Sequence, residues 1–278
     1  KRSNTEQVYN KKYDAGHWND IGAFYGVNNL LEMIGKDYPN VKPHNIDDFN
    51  ATKEVKQYLP TSKFEVNEEV PLLTLKQQYD DLTEKYDKEV KRDIQQNHFS
   101  YIKGNNANLP KALVFQGSYL NGREKYLADR FSEYIAVHNY QNIFDIDYYY
   151  SMFQPDIVVF EVAEYTINNT YFTSEKMGNM KLNPALQATK YTDEGVVQYS
   201  LEKGNAIDKL IFKGLPDNTE YAYLKIRDKV YDIKFLDGEY ILSVDNALLT
   251  LNGEEEIIFT RKNDNKYYRS KIKEEKNK

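Results

Sequence analysis

The chain has 278 residues, 40% hydrophobic and 29% charged, with a net charge of −6. That length suits one large domain or two ordinary ones, and the apolar fraction excludes a wholly disordered chain. Mean hydropathy is −0.77 and pI is near 5.4, which argues against nucleic acid as a partner and against a polybasic membrane anchor.

No apolar run approaches the roughly 20 residues of a membrane span. Cysteine is absent, which excludes thiol nucleophiles, thiolate metal sites and disulfides. No metal-ligand spacing is present, and no cofactor is implied. The 25 tyrosines suit wet clefts and sugar surfaces. An AT-rich genome, which inflates Lys, Asn and Tyr codons together, accounts for most of them. The chain starts at Lys1 with no visible signal peptide. The expectation is an exported protein, extracellular or at the cell surface, anchored through a removed N-terminal segment.

Taken in order, Ile21, Phe24, Tyr25, Leu30, Leu31 and Ile34 recur at helical spacing. Asn19 or Asp20 can cap that helix, and Gly35 ends it. Residues 37–50, with Pro39 and Pro43, read as a loop. Residues 77–96 are charged and sparse in apolar positions, so they form an exposed helix or an irregular excursion. Ala112–Phe115 reads as a buried strand and Gly117-Ser118 as a turn. Leu127, Phe131 and Ile135 then predict a helix at i, i+4, i+8, and Ile157–Phe160 a second buried strand. That rhythm predicts a three-layer α/β domain with a parallel sheet. A boundary falls near Gly178–Pro184. Residues 185–275 show short alternating strands, with turns at Asp237-Gly238 and Asn252-Gly253, and predict a small all-β sandwich.

Two segments carry chemistry. In Asp14-Ala-Gly-His17, an Asp three residues before a His can orient the imidazole while the His acts as general base. A capping Asp beside a surface His is the plainer alternative. In Leu113-Val-Phe-Gln-Gly-Ser118, a serine directly after a buried strand is presented as a nucleophile. A helix-capping serine is its alternative. Together they supply the catalytic candidates Ser118, His17 and Asp14. Tyr119 sits where it can line the cleft. Asn139 and Asn142 either reach the site as oxyanion donors or are ordinary turn residues. Glu161 and Glu164 end a strand where α/β sites gather, or pair with a nearby base. Trp18 either stacks on substrate or packs on the helix that follows. His44, His98 and His138 read as loop or surface residues.

The segment Asp14-Ala-Gly-His17-Trp18-Asn-Asp-Ile-Gly22-Ala23 resembles the Asp-x-His-Trp segment of the polysaccharide O-acetyltransferases of the SGNH-hydrolase-like, AlgX/AlgJ and DHHW type. Gln116-Gly-Ser118-Tyr119 resembles their nucleophile segment, and Pro155–Glu164 resembles the strand that follows it. The order Asp, His, Ser is the family's, and the likeness covers about residues 10–175. Here two residues, not one, separate Asp14 from His17, and Gly117 stands where an Asp or Thr is common.

The resemblance implies an SGNH-like acyltransferase domain over residues 1–180, lacking upstream sequence. It is followed by a sandwich at 185–275 in which Tyr221, Tyr223, Tyr267 and Tyr268 form a sugar platform or simply cover a sheet face. It implies that Ser118 takes an acetyl group and passes it to a hydroxyl of an exported cell-surface polysaccharide, in a Gram-positive cell wall for example. A membrane-bound acyltransferase would supply the acetyl groups. An acetyl esterase using the same triad, and a non-catalytic carbohydrate-binding protein, are the competing readings.

Overall fold

The structure is a computed structural model that describes residues 7–92, 98–164, 167, 172–179, 184–186 and 188–275. It divides into two compact units. The first comprises Lys1–Glu84, Arg92–Asn142 and Pro155–Thr173. The second comprises Lys85–Lys91, Ile143–Gln154 and Ser174–Lys278.

The first unit opens with helix α1 (Asp20–Ile34), where the sequence places it. Asn19 caps it by accepting the Gly22 N–H, and Gly35 ends it. Its buried face, Ala23, Phe24, Val27 and Leu31, enters the core. Strands β1 (Phe49–Tyr58) and β2 (Glu65–Leu75) form an antiparallel hairpin from Phe49↔Leu75 outward. A five-stranded sheet follows, from β3 (Asp80–Asp81), β4 (Phe99–Lys103), β5 (Lys111–Gln116), β6 (Glu133–His138) and β7 (Ile157–Phe160). Its order is β3-β4-β6-β5-β7. Strand β5 pairs in parallel with β6 and β7, whereas β4 runs antiparallel to β6.

The expected three-layer α/β domain with a parallel sheet therefore does not form. The sheet is mixed, and the described structure is mostly strand. The helix predicted from Leu127, Phe131 and Ile135 is the specific error. Leu127 and Phe131 lie in buried turns after a short 3₁₀ turn, Glu124–Tyr126. Ile135 belongs to β6, whose run Tyr134-Ile-Ala-Val137 is buried on both faces. A continuous apolar run carries no period of its own, so spacing alone mistakes one for the other. Among the described residues of 77–92, only Thr83–Asp87 is helical (α2).

In the second unit, helix α3 (Ile146–Phe153) packs on two strands of a seven-stranded closed barrel, and α4 (Ser174–Asn179) is short. The barrel strands are β8 (Thr192–Glu202), β9 (Ile207–Lys213), β10 (Thr219–Ile226), β11 (Lys229–Leu236), β12 (Glu239–Asp245), β13 (Glu256–Arg261) and β14 (Tyr267–Glu274). They close in the order β10-β11-β12-β9-β8-β14-β13. The expected sandwich is thus a barrel. Parallel pairing of β14 with β8 and antiparallel pairing of β10 with β13 leave no open edge. Alternation of apolar residues is the same in both architectures, because it reports one buried face and not how the sheet ends. Ala222, Leu224, Ile226, Tyr231, Ile233, Leu242 and Val244 face the barrel core. Asp237 and Gly238, both at positive φ, form the tight turn between β11 and β12. Among the described residues no helix is long and apolar enough to cross a membrane.

Candidate active site

The first motif lies in the turns between residue 11 and α1. Asp14 sits at φ +49°, a left-handed conformation that Asp tolerates better than most residues. The turn is closed by the His17 N–H donating to the Asp14 carbonyl at 3.1 Å. That fold brings Asp14 Oδ1 within 2.6 Å of His17 Nδ1. The segment is held from outside as well. One carboxylate, Glu68 of β2, accepts the N–H groups of Lys11, Lys12 and Tyr13 at 2.6–2.8 Å. Burial acts to raise the Glu68 carboxyl, but those donors prevail and hold it below the usual carboxylate range. The Asn19 N–H donates to Val8, and Tyr9 bridges to Trp18.

The second motif follows β5. Strand β5 ends at Gln116, a fully buried side chain whose Nε2 donates to Asn121 Oδ1 and whose Oε1 accepts the Tyr134 hydroxyl. The bond from Gln116 to Asn121 ties together the two ends of the turn that presents Ser118. Ser118 Oγ lies 3.0 Å from His17 Nε2, across 101 residues of sequence. Asp14, His17 and Ser118 therefore form one continuous hydrogen-bonded series. The Asp14 and His17 side chains are each 34% exposed, so the series opens to solvent.

What joins the two motifs is largely cationic. Arg123 donates to the Trp18 carbonyl at 3.1 Å and approaches Asp20, while Lys125 pairs with Asp20 at 2.6 Å. Asp20 is only 4% exposed and also accepts the Leu73 N–H of β2. A buried carboxylate with two cationic partners and a backbone donor is well compensated.

The remaining sequence candidates fall as follows. Tyr119 stands edge-on to both His17, at 5.3 Å between centroids, and Trp18, at 5.2 Å. Trp18 packs on α1, where a Cβ added at Gly26 would run into its ring. Asn139 is buried; its amide donates to the Glu161 carbonyl, and its Oδ1 accepts the Tyr140 N–H. Asn142 is also buried and donates to the His138 carbonyl. Both anchor backbone. Glu161 accepts the Gly117 N–H at 2.5 Å, beside Ser118, while Glu164 is exposed. His44 lies in a loop, as expected, but is buried, whereas His138 ends β6 and is buried, so for it neither a loop nor a surface position holds. His44 sits among Tyr126, Asp129 and Arg130, and burial lowers its pKa. His98 pairs with Glu124 at 3.1 Å. In the barrel, Tyr223 and Tyr268 are buried, with their hydroxyls on the Pro184 carbonyl and on Asp264. The four-tyrosine platform is therefore not assembled.

Sequence reasoning missed Glu68, Gln116, Arg123 and Lys125. Glu68 and Arg123 act on backbone atoms, which leave no residue-type signature, and Gln116 looked like the last residue of a strand. Among the described residues no group of His, Asp or Glu side chains could hold a metal.

No family model matches the chain, and no curated protein matches it. Similar solved structures include Bacillus cereus PatB1 with a sulfonyl adduct, at 22% identity and TM-score 0.39, covering 54% of this chain and 59% of that one. Bacillus cereus PatB1 is also matched at 21% identity and TM-score 0.41, covering 58% and 64%. A DHHW family protein from Eubacterium siraeum is similar at 15% identity and TM-score 0.44, covering 64% and 66%. The chain thus spans about three fifths to two thirds of the structures to which it is similar.

Proposed function

We propose that this chain is a serine-dependent O-acetyltransferase that moves an acetyl group, through an acetyl-enzyme on Ser118, onto an exported cell-surface polysaccharide. The observation that carries the acyl-transfer part is the Asp14–His17–Ser118 series, at 2.6 and 3.0 Å. Asp14 holds the proton on Nδ1 and leaves Nε2 to take the Ser118 proton. The Ser118 oxygen then attacks the acetyl carbonyl, and the donor leaves with that proton. An acceptor hydroxyl, deprotonated by His17, reverses the sequence and regenerates Ser118. Among the described residues no acceptor takes the Ser118 N–H, which makes it the donor for the oxyanion.

Polysaccharide as acceptor, a membrane-bound acyltransferase as the source of acetyl groups and a location outside the cell rest on the ordered sequence resemblance. A second reading, hydrolysis of acetyl esters on such a polymer, is favoured by the exposure of His17 and Asp14, which lets water reach the acetyl-enzyme. The test is turnover of a chromogenic acetyl ester with and without an oligosaccharide acceptor. Acceptor-stimulated turnover with an acetylated sugar product supports transfer. Turnover indifferent to acceptor supports the esterase, and none above the Ser118→Ala background removes both.

A further inference from the structure

We propose that Glu161 is a positioning residue for Ser118, and that position 117 is glycine because the Glu161 carboxylate occupies the space a Cβ would fill. The inference rests on the acyl-transfer reading for its effect on rate. It rests on geometry alone for its effect on the loop.

The backbone of Glu161 is fixed from two sides. Its N–H donates to the Phe115 carbonyl at 2.9 Å, continuing the parallel register Phe115↔Phe160, and its carbonyl accepts the Asn139 amide. The side chain therefore leaves the end of β7 level with Gly117. Its Oε2 accepts the Gly117 N–H at 2.5 Å. The N–H groups of Leu120 and Tyr119 also act on the carboxylate, as does His17 once it has taken up a proton. The Gly117 N–H, one residue before Ser118, is thus hydrogen-bonded to an internal carboxylate on which the Tyr119 and Leu120 N–H groups also act, as backbone N–H groups do on an anion in a turn. The N–H left over is that of Ser118 itself, the one proposed above to meet the oxyanion.

A Cβ built on Gly117 would stand 2.8 Å from Glu161 Oε1 and 3.1 Å from Oε2. Those atoms end a flexible side chain, so an alanine at 117 is accommodated by pushing the carboxylate off the N–H groups. That makes Gly117→Ala a second, independent way to undo the same contact. Burial acts against the carboxylate and raises its pKa despite the donors and His17. A group placed there at a cost in solvation points to a gain in positioning.

The experiment uses the full chain, a chromogenic acetyl ester and amide hydrogen exchange. Glu161→Ala is expected to lower kcat about 100-fold, the cost of moving a reacting group by about 1 Å, with KM unchanged. Gly117→Ala should lower kcat in the same way and add nothing in the Glu161→Ala background. Glu161→Gln, which keeps an acceptor oxygen, should recover part of the loss. Exchange at residues 117–121 should quicken in both single variants while β5 and β7 keep their protection. Unchanged kcat in Glu161→Ala, or fully additive effects of the two substitutions, overturns the proposal. If the wild type is no faster than Ser118→Ala, the acyl-transfer reading fails separately. Exchange then decides alone, and unchanged exchange at 117–121 overturns the positioning role.

Discussion

Glu68 and Glu161 do the same thing at the two halves of the site, with opposite electrostatic results. Glu68 accepts three backbone N–H groups from the segment just before Asp14, and Glu161 accepts the Gly117 N–H just before Ser118, with the Tyr119 and Leu120 N–H groups also acting on it. The Glu68 carboxyl is held below the ordinary range and the Glu161 carboxyl is pushed above it. Burial raises both, and only at Glu161 does it outweigh the donors. A third example lies in the barrel unit. Glu89 takes the N–H groups of Asn205, Ala206 and Ile207 at 2.8–3.1 Å, far from any reactive serine in sequence, and is held low like Glu68. The device itself is therefore structural. What it accomplishes depends on what the cradled loop presents.

The largest effect is expected at Asp14, the residue that follows the segment held by Glu68. Asp14→Asn keeps the shape and a side chain that tolerates positive φ, but permits the wrong histidine tautomer. Turnover of an acetyl ester should fall by about four orders of magnitude while the fold persists. Near-normal turnover with a lowered Tm would make Asp14 a turn residue.

A smaller effect separates Glu68 from Glu89. Glu68→Ala frees the backbone just before Asp14 and should lower kcat about tenfold, a partial version of the misplacement cost. Glu89→Ala loses as many backbone bonds and should lower Tm, by about 1–3 kcal/mol in stability, with turnover intact. Equal losses of turnover in the two variants would show that the Glu68 cradle has no special bearing on the site.

The smallest effect is in the pH dependence of stability. A carboxyl depressed in the folded state adds stability above its unfolded pKa, near 4.3, and loses it as pH falls through the folded value. The wild-type advantage over Glu68→Gln and over Glu89→Gln should therefore grow as pH rises from acid to neutral. For Glu161, raised in the folded state, the folded chain binds the extra proton. Its advantage over Glu161→Gln should shrink as pH rises over the same window. Thermal melts across that range check the sign, and three parallel slopes would contradict the contrast.

The candidate site was legible in the sequence where its side chains mark themselves by spacing or by place in an element. Asp14 and His17 announce themselves by spacing, and Ser118 by its place after the apolar run of β5. Helix α1 was legible from its period, its Asn19 cap and Gly35, and the β11–β12 turn from Asp237-Gly238. The β1–β2 hairpin was not, because β1 is exposed along most of its length and shows no apolar alternation. Yet that hairpin carries Glu68. Strand β6 was hidden by its own burial, and the closure of the barrel by pairings between segments distant in sequence, β14 with β8 and β10 with β13. The cradles were invisible because their donors are peptide N–H groups, which every residue but proline has.

The central claim is that Ser118 carries the acyl group. The most direct measurement is intact-protein and peptide mass spectrometry on the full chain, quenched during turnover of an acetyl ester. One acetyl group is expected, on the peptide containing Ser118, lost in Ser118→Ala and slowed in His17→Ala. An acetyl group on another residue, or undiminished turnover in Ser118→Ala, would contradict it.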